Sequence, residues 1–353
     1  MDLATIQSGG GGFLGAAARL GLGALSVPYG LVARRRLRAF DGRRVPERLS
    51  VPVVCVGNLT AGGTGKTPFV AWLAAEARAR GRRPAVLSRG YGPKASGASL
   101  SDEGLVLRDL LGDTVPLAED PDRVQGGRRL LVERPDVDLL LLDDGFQHRR
   151  LGRDVDVVLL DATNPFGYGH LLPRGLLREP VEGLARAHAV VVTRAERVTA
   201  DALRALDLRL AALAPRALRA SVRTRARALV RAADLADVPL AALRGAAVFA
   251  WAGIGNPAAF AAMLADLGAT VVGTRFERDH HRYVPSDVDA AVGAAGALGA
   301  TLVVVTRKDF VKLRRFPGVP PSIVALDVDL EPGPEAADVL SLVLGARARP
   351  STA

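Results

Sequence analysis

Residues 51–67 read VPVVCVGNLTAGGTGKT, an apolar run followed by a glycine-rich stretch and a Lys-Thr pair. The apolar run is rich in β-branched residues, which is typical of a buried parallel strand. The glycines allow backbone conformations closed to other residues, so successive N–H groups can turn toward phosphate oxygens. The stretch therefore predicts a nucleotide phosphate loop, formed by Gly62, Gly63, Thr64, Gly65, Lys66 and Thr67.

The segment after the loop has the pattern of a helix that runs from the Lys-Thr pair to Gly81. Pro68 suits the first helical turn, and the apolar residues that follow recur at helical spacing. Lys66 supplies a positive charge for the terminal phosphates, and the Thr67 hydroxyl can bind Mg²⁺. A glycine-rich turn that binds no ligand is the alternative interpretation.

The loop departs from the usual GxxxxGK[ST] pattern because Thr60 stands at the position of the first glycine. The GGxGKT variant that remains occurs in septum-positioning and partitioning ATPases and in several small-metabolite kinases. Those ATPases carry an additional lysine where this chain has Ala61. The sequence therefore favours a kinase over a dimerising ATPase switch.

Composition limits the class of protein. A chain of 353 residues is long enough for two domains and a large core. The single cysteine, Cys55, lies in the apolar strand, so we expect no disulfide and a reducing, cytoplasmic setting. The formal charge is +10, and nearly all of the 47 basic residues are arginine, which indicates a compositional bias. We expect an anionic substrate or membrane surface and no nucleic acid partner, since no zinc spacing or aromatic-interleaved basic patch occurs.

Residues 11–32 form an apolar segment, GGFLGAAARLGLGALSVPYGLV, and a cluster of arginines follows between residues 34 and 44. Arg19 and Pro28 interrupt the segment, so we expect no membrane-spanning helix. An apolar segment beside a cationic cluster can lie in the headgroup zone of an anionic leaflet. An amphipathic helix packed on the core explains the pattern equally well. Peripheral attachment to a membrane is the most that the segment predicts.

Apolar strands alternate with polar or helical stretches along the rest of the chain, which predicts an α/β fold with a doubly wound, mostly parallel sheet. The predicted strands after the phosphate loop are 84–88, 137–143, 155–161, 189–193, 246–251, 270–272 and 301–306. The predicted organisation is an N-terminal apolar and basic segment (1–45), a P-loop core (46–215), a second, smaller α/β domain (216–345) and a loose tail (346–353).

The string VDLLLLDDGFQH at 137–148 brings Asp143 and Asp144 to the carboxyl end of a strand. Open α/β sheets bind their ligands at that edge. Carboxylates there, facing the Lys-Thr pair, suit the Mg²⁺ that accompanies ATP. Gln147 and His148 follow the turn and can contact phosphate or substrate. A purely structural turn is the alternative interpretation of the Asp pair.

Six strings follow one another in a fixed order: VGNLTAGGTGKTP, LSRGYG, DDGFQH, LLPRGLLRE, GIGNP and DHHRY. Together they resemble the tetraacyldisaccharide 4′-kinase family, densely over 53–179 and more sparsely over 253–313. The resemblance implies transfer of the γ-phosphate of ATP to the 4′-hydroxyl of a tetraacyldisaccharide 1-phosphate, a lipid A precursor. It also implies a peripheral position at the cytoplasmic face of the inner membrane. We expect a monomer.

The resemblance also implies roles for individual residues. Asp102, in the string SDEG, corresponds to the general base, with Glu103 as its acidic neighbour in the substrate site. His280 corresponds to a catalytic histidine that pairs with the base. An aspartate with a pKa of ~4 is a weak base at neutral pH, so a coupled imidazole is chemically sensible. The further residues that correspond to substrate or phosphate contacts are Arg89, Tyr91 and Arg178.

The chain departs from the family pattern around the base. SDEG lacks the flanking Gly and Pro of the family string, so Asp109 and Asp113 remain alternatives to Asp102, and His281 remains an alternative to His280. The Asp-His-His run matches no common zinc spacing, so we predict no metal there. The string TRKD at 306–309 is similar to a guanine-reading string, but its lysine is displaced by one position. We therefore favour ATP over GTP and interpret TRKD as structural.

Two other functions stay open from the sequence alone. One is a P-loop ATPase switch that binds a protein partner. The other is a kinase of a soluble metabolite.

Overall fold

The computed structural model describes residues 3–40, 45–90, 100–255, 257–279 and 281–348. They form two compact units. The first unit comprises the chain up to Gly90, Leu111–Thr224 and the chain from Leu330 onward, and the second comprises residues 100–110 and Arg225–Asp329. These bounds differ from the predicted domains in three places: residues 100–110 cluster with the second unit, whereas residues 216–224 and the chain from Leu330 cluster with the first.

The α-helices of the described residues are α1 (Leu3–Gln7), α2 (Gly12–Arg38), α3 (Lys66–Ala79), α4 (Asp102–Leu111), α5 (Arg123–Glu133), α6 (Ala200–Leu213), α7 (Pro257–Asp266), α8 (Pro285–Ala297), α9 (Arg307–Leu313) and α10 (Ala336–Leu344). Short 3₁₀ turns occur at Gly112–Thr114, Gly167–Gly169, Val181–Arg186, Ala195–Arg197 and Leu240–Leu243.

The strands are β1 (Val53–Asn58), β2 (Pro84–Ser88), β3 (Leu117–Glu119), β4 (Leu139–Asp143), β5 (Val155–Asp161), β6 (Ala189–Thr193), β7 (Leu218–Arg231), β8 (Asp237–Val238), β9 (Ala247–Ala252), β10 (Thr270–Phe276), β11 (Leu302–Thr306) and β12 (Ile323–Pro332). The predicted strands 84–88, 155–161 and 189–193 have these bounds, and the other predicted strands differ by a few residues.

The first unit contains a parallel sheet with the order β7-β6-β5-β1-β4-β2-β3. All six residues of β1 are buried because the strand lies between β4 and β5 inside the sheet. Parallel strands present their carboxyl ends at one edge, so the phosphate loop after β1 lies beside the ends of β4 and β5. The prediction of a doubly wound, mostly parallel sheet is confirmed.

In the second unit, β10, β9, β11 and β12 pair in parallel in that order, and β8 pairs antiparallel with β7. Its core includes Trp251 and Phe310, both fully buried. Strands β3, β7, β8 and β12 were not predicted from the sequence. In β7 the reason is composition, since its arginine-rich run LRASVRTRARALVR buries only part of its residues and lacks an apolar strand pattern.

The N-terminal apolar segment is one continuous helix, α2, with Pro28 inside it. The prediction that Arg19 and Pro28 interrupt the segment is therefore wrong; a proline removes one N–H but does not end every helix. The 27 residues span about 40 Å at the usual rise per residue. By length and apolar composition, α2 is the one helix of the described chain that could cross a membrane. Most of its large apolar side chains are exposed, Phe13 by 87% and Leu20 by 78%.

Candidate active site

The phosphate loop follows β1 and ends at the first turn of α3. Gly62 and Gly65 have φ angles of 110° and 79°, in the left-handed region that favours glycine. Gly65 precedes the helix as its N-cap, and Lys66 is the first helical residue. The N–H groups at a helix N-terminus bind anions, and a lysine there adds a full positive charge. The structure thus places the six predicted phosphate-binding residues in one strand–loop–helix turn.

Two residues at the end of β6 hold the phosphate loop. The Thr193 hydroxyl donates to the Thr64 carbonyl at 3.0 Å, and Arg194 Nη2 donates to the Gly63 carbonyl at 2.8 Å. Arg194 also forms an ion pair with Asp161 at the end of β5. Thr193 and Arg194 were not predicted from the sequence as site residues. Only the strand order β6-β5-β1 brings them to the loop, and no local motif marks that order.

Asp143 and Asp144 lie at the carboxyl end of β4, beside the end of β1. Val56 and Asp143 are register partners, and Asp143 is only 3% exposed. Asp144 has a φ angle of 55°, and its N–H donates to the Val56 carbonyl at 3.0 Å. Directly after Val56 in β1, Gly57 leaves room for the turn, since a Cβ there would meet Phe146 Cβ at 2.5 Å. The acidic pair therefore ends a buried strand next to the phosphate loop.

Asp144 is the centre of an ion-pair network. Arg178 Nη1 donates to its two carboxylate oxygens at 2.8 and 3.0 Å, and Lys66 Nζ lies 3.6 Å from Oδ1. Burial raises the pKa of the Asp144 carboxyl, but the positive charges of Lys66 and Arg178 outweigh it, and the pKa falls below its usual value. Asp144 is therefore ionised at neutral pH. The predicted phosphate contact Arg178 and the predicted metal ligand Asp144 are bound to each other.

Gln147 and His148 follow in the same turn. The Gln147 side-chain amide donates to the Asn58 carbonyl at 2.9 Å and to Glu179 Oε1 at 2.8 Å. Glu179 is 2% exposed and forms an ion pair with Arg186 at 2.8 Å. Gln147, predicted to contact substrate, thus joins the end of β1 to the segment that carries Arg178.

Three polar atoms around this turn and loop are buried and have no hydrogen-bond partner within the described part of the chain: Asn58 Oδ1, Thr64 Oγ1 and His148 Nε2. Buried polar atoms in proteins are nearly always hydrogen-bonded. Burial lowers the pKa of His148 to about 4, and Arg123 acts in the same direction, so the imidazole is neutral at pH 7. Water or a polar ligand can bond to these three atoms of the first unit.

The remaining predicted contacts differ in what the structure describes. Arg89 is exposed and directly follows β2, at the carboxyl edge of the same sheet. Tyr91 and His280 lie outside the described residues, so their roles stay predictions.

The predicted base lies in the second unit. Asp102 and Glu103 open α4, and each faces a lysine of α9. Lys312 Nζ lies 2.9 Å from Asp102 Oδ2, and Lys308 Nζ lies 4.0 Å from Glu103 Oε1. Lys308 also contacts Asp279 Oδ1 at 2.8 Å. The strings SDEG and DHHRY therefore both contact α9.

The alternative bases have different surroundings. The Asp109 carboxylate accepts a hydrogen bond from Arg307 Nε at 2.5 Å and also forms an ion pair with Arg314. The Asp109 side chain is 7% exposed. Two arginines on a buried carboxylate hold it as a structural ion pair. Asp113 is exposed in a 3₁₀ turn. The Asp102 side chain is 27% exposed, which leaves it accessible to a substrate hydroxyl.

The TRKD string caps α9 and fixes its neighbours. Asp309 is fully buried and accepts hydrogen bonds from the Thr306 hydroxyl at 2.6 Å, the Gly253 N–H at 3.1 Å and the Tyr283 hydroxyl at 2.9 Å. Gly253 opens the GIGNP string, and Tyr283 closes DHHRY. Asp309 thus ties together the strings of the second unit, in agreement with the structural interpretation of TRKD.

His281 contributes to a helix cap. Its Nε2 lies 3.2 Å from Asp287 Oδ2, which also accepts the Val284 N–H at the start of α8. Glu277, His281 and Asp287 lie close enough to hold a metal ion, but Arg275 bonds to both carboxylates. Arg275 therefore balances one of the two negative charges and occupies an oxygen of each carboxylate.

Comparisons with known proteins agree with this geometry. The family model described as Tetraacyldisaccharide-1-P 4′-kinase matches residues 18–345. A tetraacyldisaccharide 4′-kinase of Anaeromyxobacter sp. (strain Fw109-5) is 44% identical over 314 residues, which is 82% of this chain and 81% of that protein. Another tetraacyldisaccharide 4′-kinase, from Anaeromyxobacter sp. (strain K), is 40% identical over 355 residues, which is 95% of this chain and 92% of that protein.

Among solved structures, the crystal structure of LpxK from Aquifex aeolicus in complex with ATP is similar in fold. It is 28% identical in sequence and superposes with a TM-score of 0.71, covering 92% of this chain and 98% of that chain. The match of the family model over nearly the whole sequence, together with the two relatives, shows that the chain belongs to the tetraacyldisaccharide 4′-kinase family.

Proposed function

We propose that this chain uses ATP to phosphorylate the 4′-hydroxyl of a tetraacyldisaccharide 1-phosphate in lipid A biosynthesis. The observation that carries the proposal is the left-handed Gly65 at the start of α3, with Lys66 next to it and the Asp144–Arg178 pair beside the loop. This is an arrangement for a triphosphate, and family membership supplies the acceptor.

The proposed reaction is an in-line phosphoryl transfer without a covalent enzyme intermediate. The bond between the γ-phosphorus and the bridging oxygen breaks, a bond from that phosphorus to the 4′-oxygen forms, and Asp102 accepts the hydroxyl proton. The loop N–H groups and Lys66 stabilise the negative charge that develops on the leaving diphosphate. His280 is proposed to pair with Asp102 and raise its basicity.

We also propose that Mg²⁺ accompanies ATP. The donor set of Thr67, Asp143 and Asp144 consists of oxygens only, which is what Mg²⁺ prefers. Thr67 and the buried Asp143 fit the metal best, because Asp144 already binds Arg178 and Lys66. When bound, Mg²⁺ would neutralise charge on the transferred and leaving phosphates.

The proposed acceptor carries acyl chains, and the first unit offers a surface that suits it. A groove of about 430 Å³ lies between α2 and residues 169–182. Apolar residues such as Leu31 and Leu171 line it together with the basic Arg34 and Arg174. The exposed apolar side chains of α2 support a peripheral position at a membrane surface. We propose that this surface is the cytoplasmic face of the inner membrane and that the chain acts as a monomer.

The test is transfer of label from γ-labelled ATP to purified tetraacyldisaccharide 1-phosphate in mixed detergent micelles with Mg²⁺. We expect labelled bis-phosphorylated lipid from the wild type. Lys66→Ala should lower kcat by about 10²–10³-fold, the typical effect of removing one transition-state charge contact. Asp102→Asn should keep ATP binding and lose transfer by about 10²–10⁴-fold.

Circular dichroism and thermal unfolding check that both variants fold. ATP hydrolysis without labelled lipid would contradict the acceptor and favour an ATPase switch or a soluble-metabolite kinase. Unchanged transfer by the Asp102 variant would contradict the base alone.

A further inference from the structure

Lys312 connects the proposed base to the segment that contains His280. Its Nζ lies 2.9 Å from Asp102 Oδ2 and donates to the His281 carbonyl at 3.1 Å. The residue is 8% exposed, and Nζ also lies 5.4 Å from the centre of the Tyr283 ring. A largely buried ammonium with two oxygen partners and an aromatic face has few other positions open to it.

Lys312 and Lys308 act from one side of α9. Residues four apart on a helix lie above one another, so the two ammonium groups share a face. Lys308 reaches Asp279 and Glu103, the neighbours in sequence of His280 and Asp102. The two lysines therefore bridge α4 and the DHHRY segment at two places, one turn of α9 apart.

The helix that carries them is held firmly. Asp309, Phe310 and Leu313 of α9 are all completely buried. Asp309 is fixed by three hydrogen bonds from Thr306, Gly253 and Tyr283. Because the backbone of α9 is anchored in the core of the second unit, the start of the Lys312 side chain is fixed independently of Asp102.

The choice of lysine at this position is unusual for this chain. Only four of its 47 basic residues are lysines. The three whose surroundings the structure describes, Lys66, Lys308 and Lys312, each contact a carboxylate of a predicted site string. A compact ammonium with three rotatable donors can bond a carboxylate and a carbonyl together, whereas a planar guanidinium has a fixed fork.

We propose that Lys312 is a positioning residue for phosphoryl transfer: its ammonium group orients the Asp102 carboxylate and ties it to the backbone beside His280. The proposal rests on the proposed role of Asp102 as the base. Lys312 does not touch the reacting atoms; it acts by holding the carboxylate of the base in one place. An adjacent cation favours the charged form of a carboxylate.

The test compares Lys312→Met, Lys312→Arg and the control Arg315→Met in the full chain, with the labelled-lipid assay. Methionine keeps the length of the side chain and removes the charge. We expect Lys312→Met to lower kcat by about 10–100-fold, while the Kd for ATP changes less than about twofold because the phosphate loop lies in the first unit. Lys312→Arg should recover most of the rate, and Arg315→Met should behave as the wild type, since Arg315 is exposed.

The pH profile separates positioning from a merely structural role. Loss of the cation raises the pKa of a neighbouring carboxylate, so the acidic limb of kcat should move to higher pH in Lys312→Met and return in Lys312→Arg. A uniformly lower rate with an unmoved acidic limb in Lys312→Met would overturn the proposal. A folded Lys312→Arg variant as slow as Lys312→Met would also overturn it.

A double variant tests whether Lys312 acts through Asp102. If it does, adding Lys312→Met to Asp102→Asn should cause almost no further loss of kcat, because the shared interaction is already gone. Losses that multiply would refute the positioning role. If Asp102→Asn alone transfers normally, the proposed base is wrong; if only Lys312→Met is normal, the base stands and this inference fails.

Discussion

At the scale of single residues, the site depends on a few groups in unusual settings. Asp144 adopts a left-handed backbone conformation, which is uncommon outside glycine and costs of order 1–3 kcal/mol. The hydrogen bond of its N–H to Val56 and its ion pairs to Arg178 and Lys66 hold it there. The strained position keeps the carboxylate next to the lysine of the phosphate loop.

His148 should titrate far below an ordinary histidine. Its pKa in the folded protein is about 4 against an unfolded value of 6.5, because burial and nearby arginines disfavour the charged form. The neutral imidazole therefore contributes stability that is fully present above pH 6.5 and is lost as the pH falls toward 4. NMR titration of the histidine Hε1 signals, assigned with His148→Gln, should show this midpoint.

The same variant checks the effect on stability. Urea unfolding between pH 7 and 4 should show a smaller loss of stability in His148→Gln than in the wild type. A His148 signal with a midpoint near pH 6.5 would show that the imidazole is solvated in solution.

At the scale of elements, α2 combines exposed apolar side chains with hydrogen bonds to the segment that carries Arg178. Ser26 Oγ donates to the Leu171 carbonyl at 3.0 Å, and the Tyr29 hydroxyl donates to the Arg178 carbonyl at 3.0 Å. The side chain of Arg178 in turn binds Asp144. The exposed apolar helix is therefore joined through residues 171–178 to the network beside the phosphate loop.

The arginines at the end of α2 should govern binding to anionic membranes. Arg35, Arg36 and Arg38 are exposed in the last turn of the helix. Changing all three to Gln should weaken binding to phosphatidylglycerol vesicles by about 1 kcal/mol for each arginine removed, since each adds roughly that much near an anionic surface. Co-sedimentation at low and physiological salt measures the loss.

The matched control changes three exposed arginines elsewhere, Arg78, Arg134 and Arg204, to Gln, which lowers the net charge equally. Its vesicle binding should fall much less. Equal losses in both triple variants would show that total charge, and not α2, attracts the membrane.

At the scale of the whole molecule, the chain folds into two units with separate cores. The first is built around residues such as Leu140 and Phe146, and the second around Trp251 and Phe310. The predicted nucleotide-binding residues lie in the first, and the proposed base and its lysines lie in the second. Ligands that bind one unit should therefore protect it preferentially.

ATP should stabilise the first unit in particular. At 100 times the Kd, a ligand that binds only the folded state adds about 2.7 kcal/mol to the free energy of unfolding. Hydrogen exchange with and without Mg·ATP should show the strongest new protection in residues 57–67 and 143–148. The effect should vanish in Lys66→Ala. Protection confined to residues 225–329 would contradict the assignment of the nucleotide site.

Local sequence determined the parts of this protein whose chemistry is contained in a few consecutive residues. The phosphate loop between β1 and α3 needs glycines at particular positions, and the Asp pair needs an apolar strand before it, so both could be predicted from their strings. The continuity of α2 could not, because Pro28 weakens a helix locally while the surrounding turns maintain it.

Only the tertiary structure decided which distant residues complete the site. Strand order brings Arg194 to the carbonyl of Gly63, and α9 brings Lys312 to Asp102, over a separation of 210 positions in the sequence. The tertiary structure also pairs Asp109, one of the alternative bases, with two arginines. The physical reason is that a motif reflects only the backbone conformations and charges of residues that are neighbours along the chain. Ion pairs between distant residues and the register of paired strands arise only when separate elements pack.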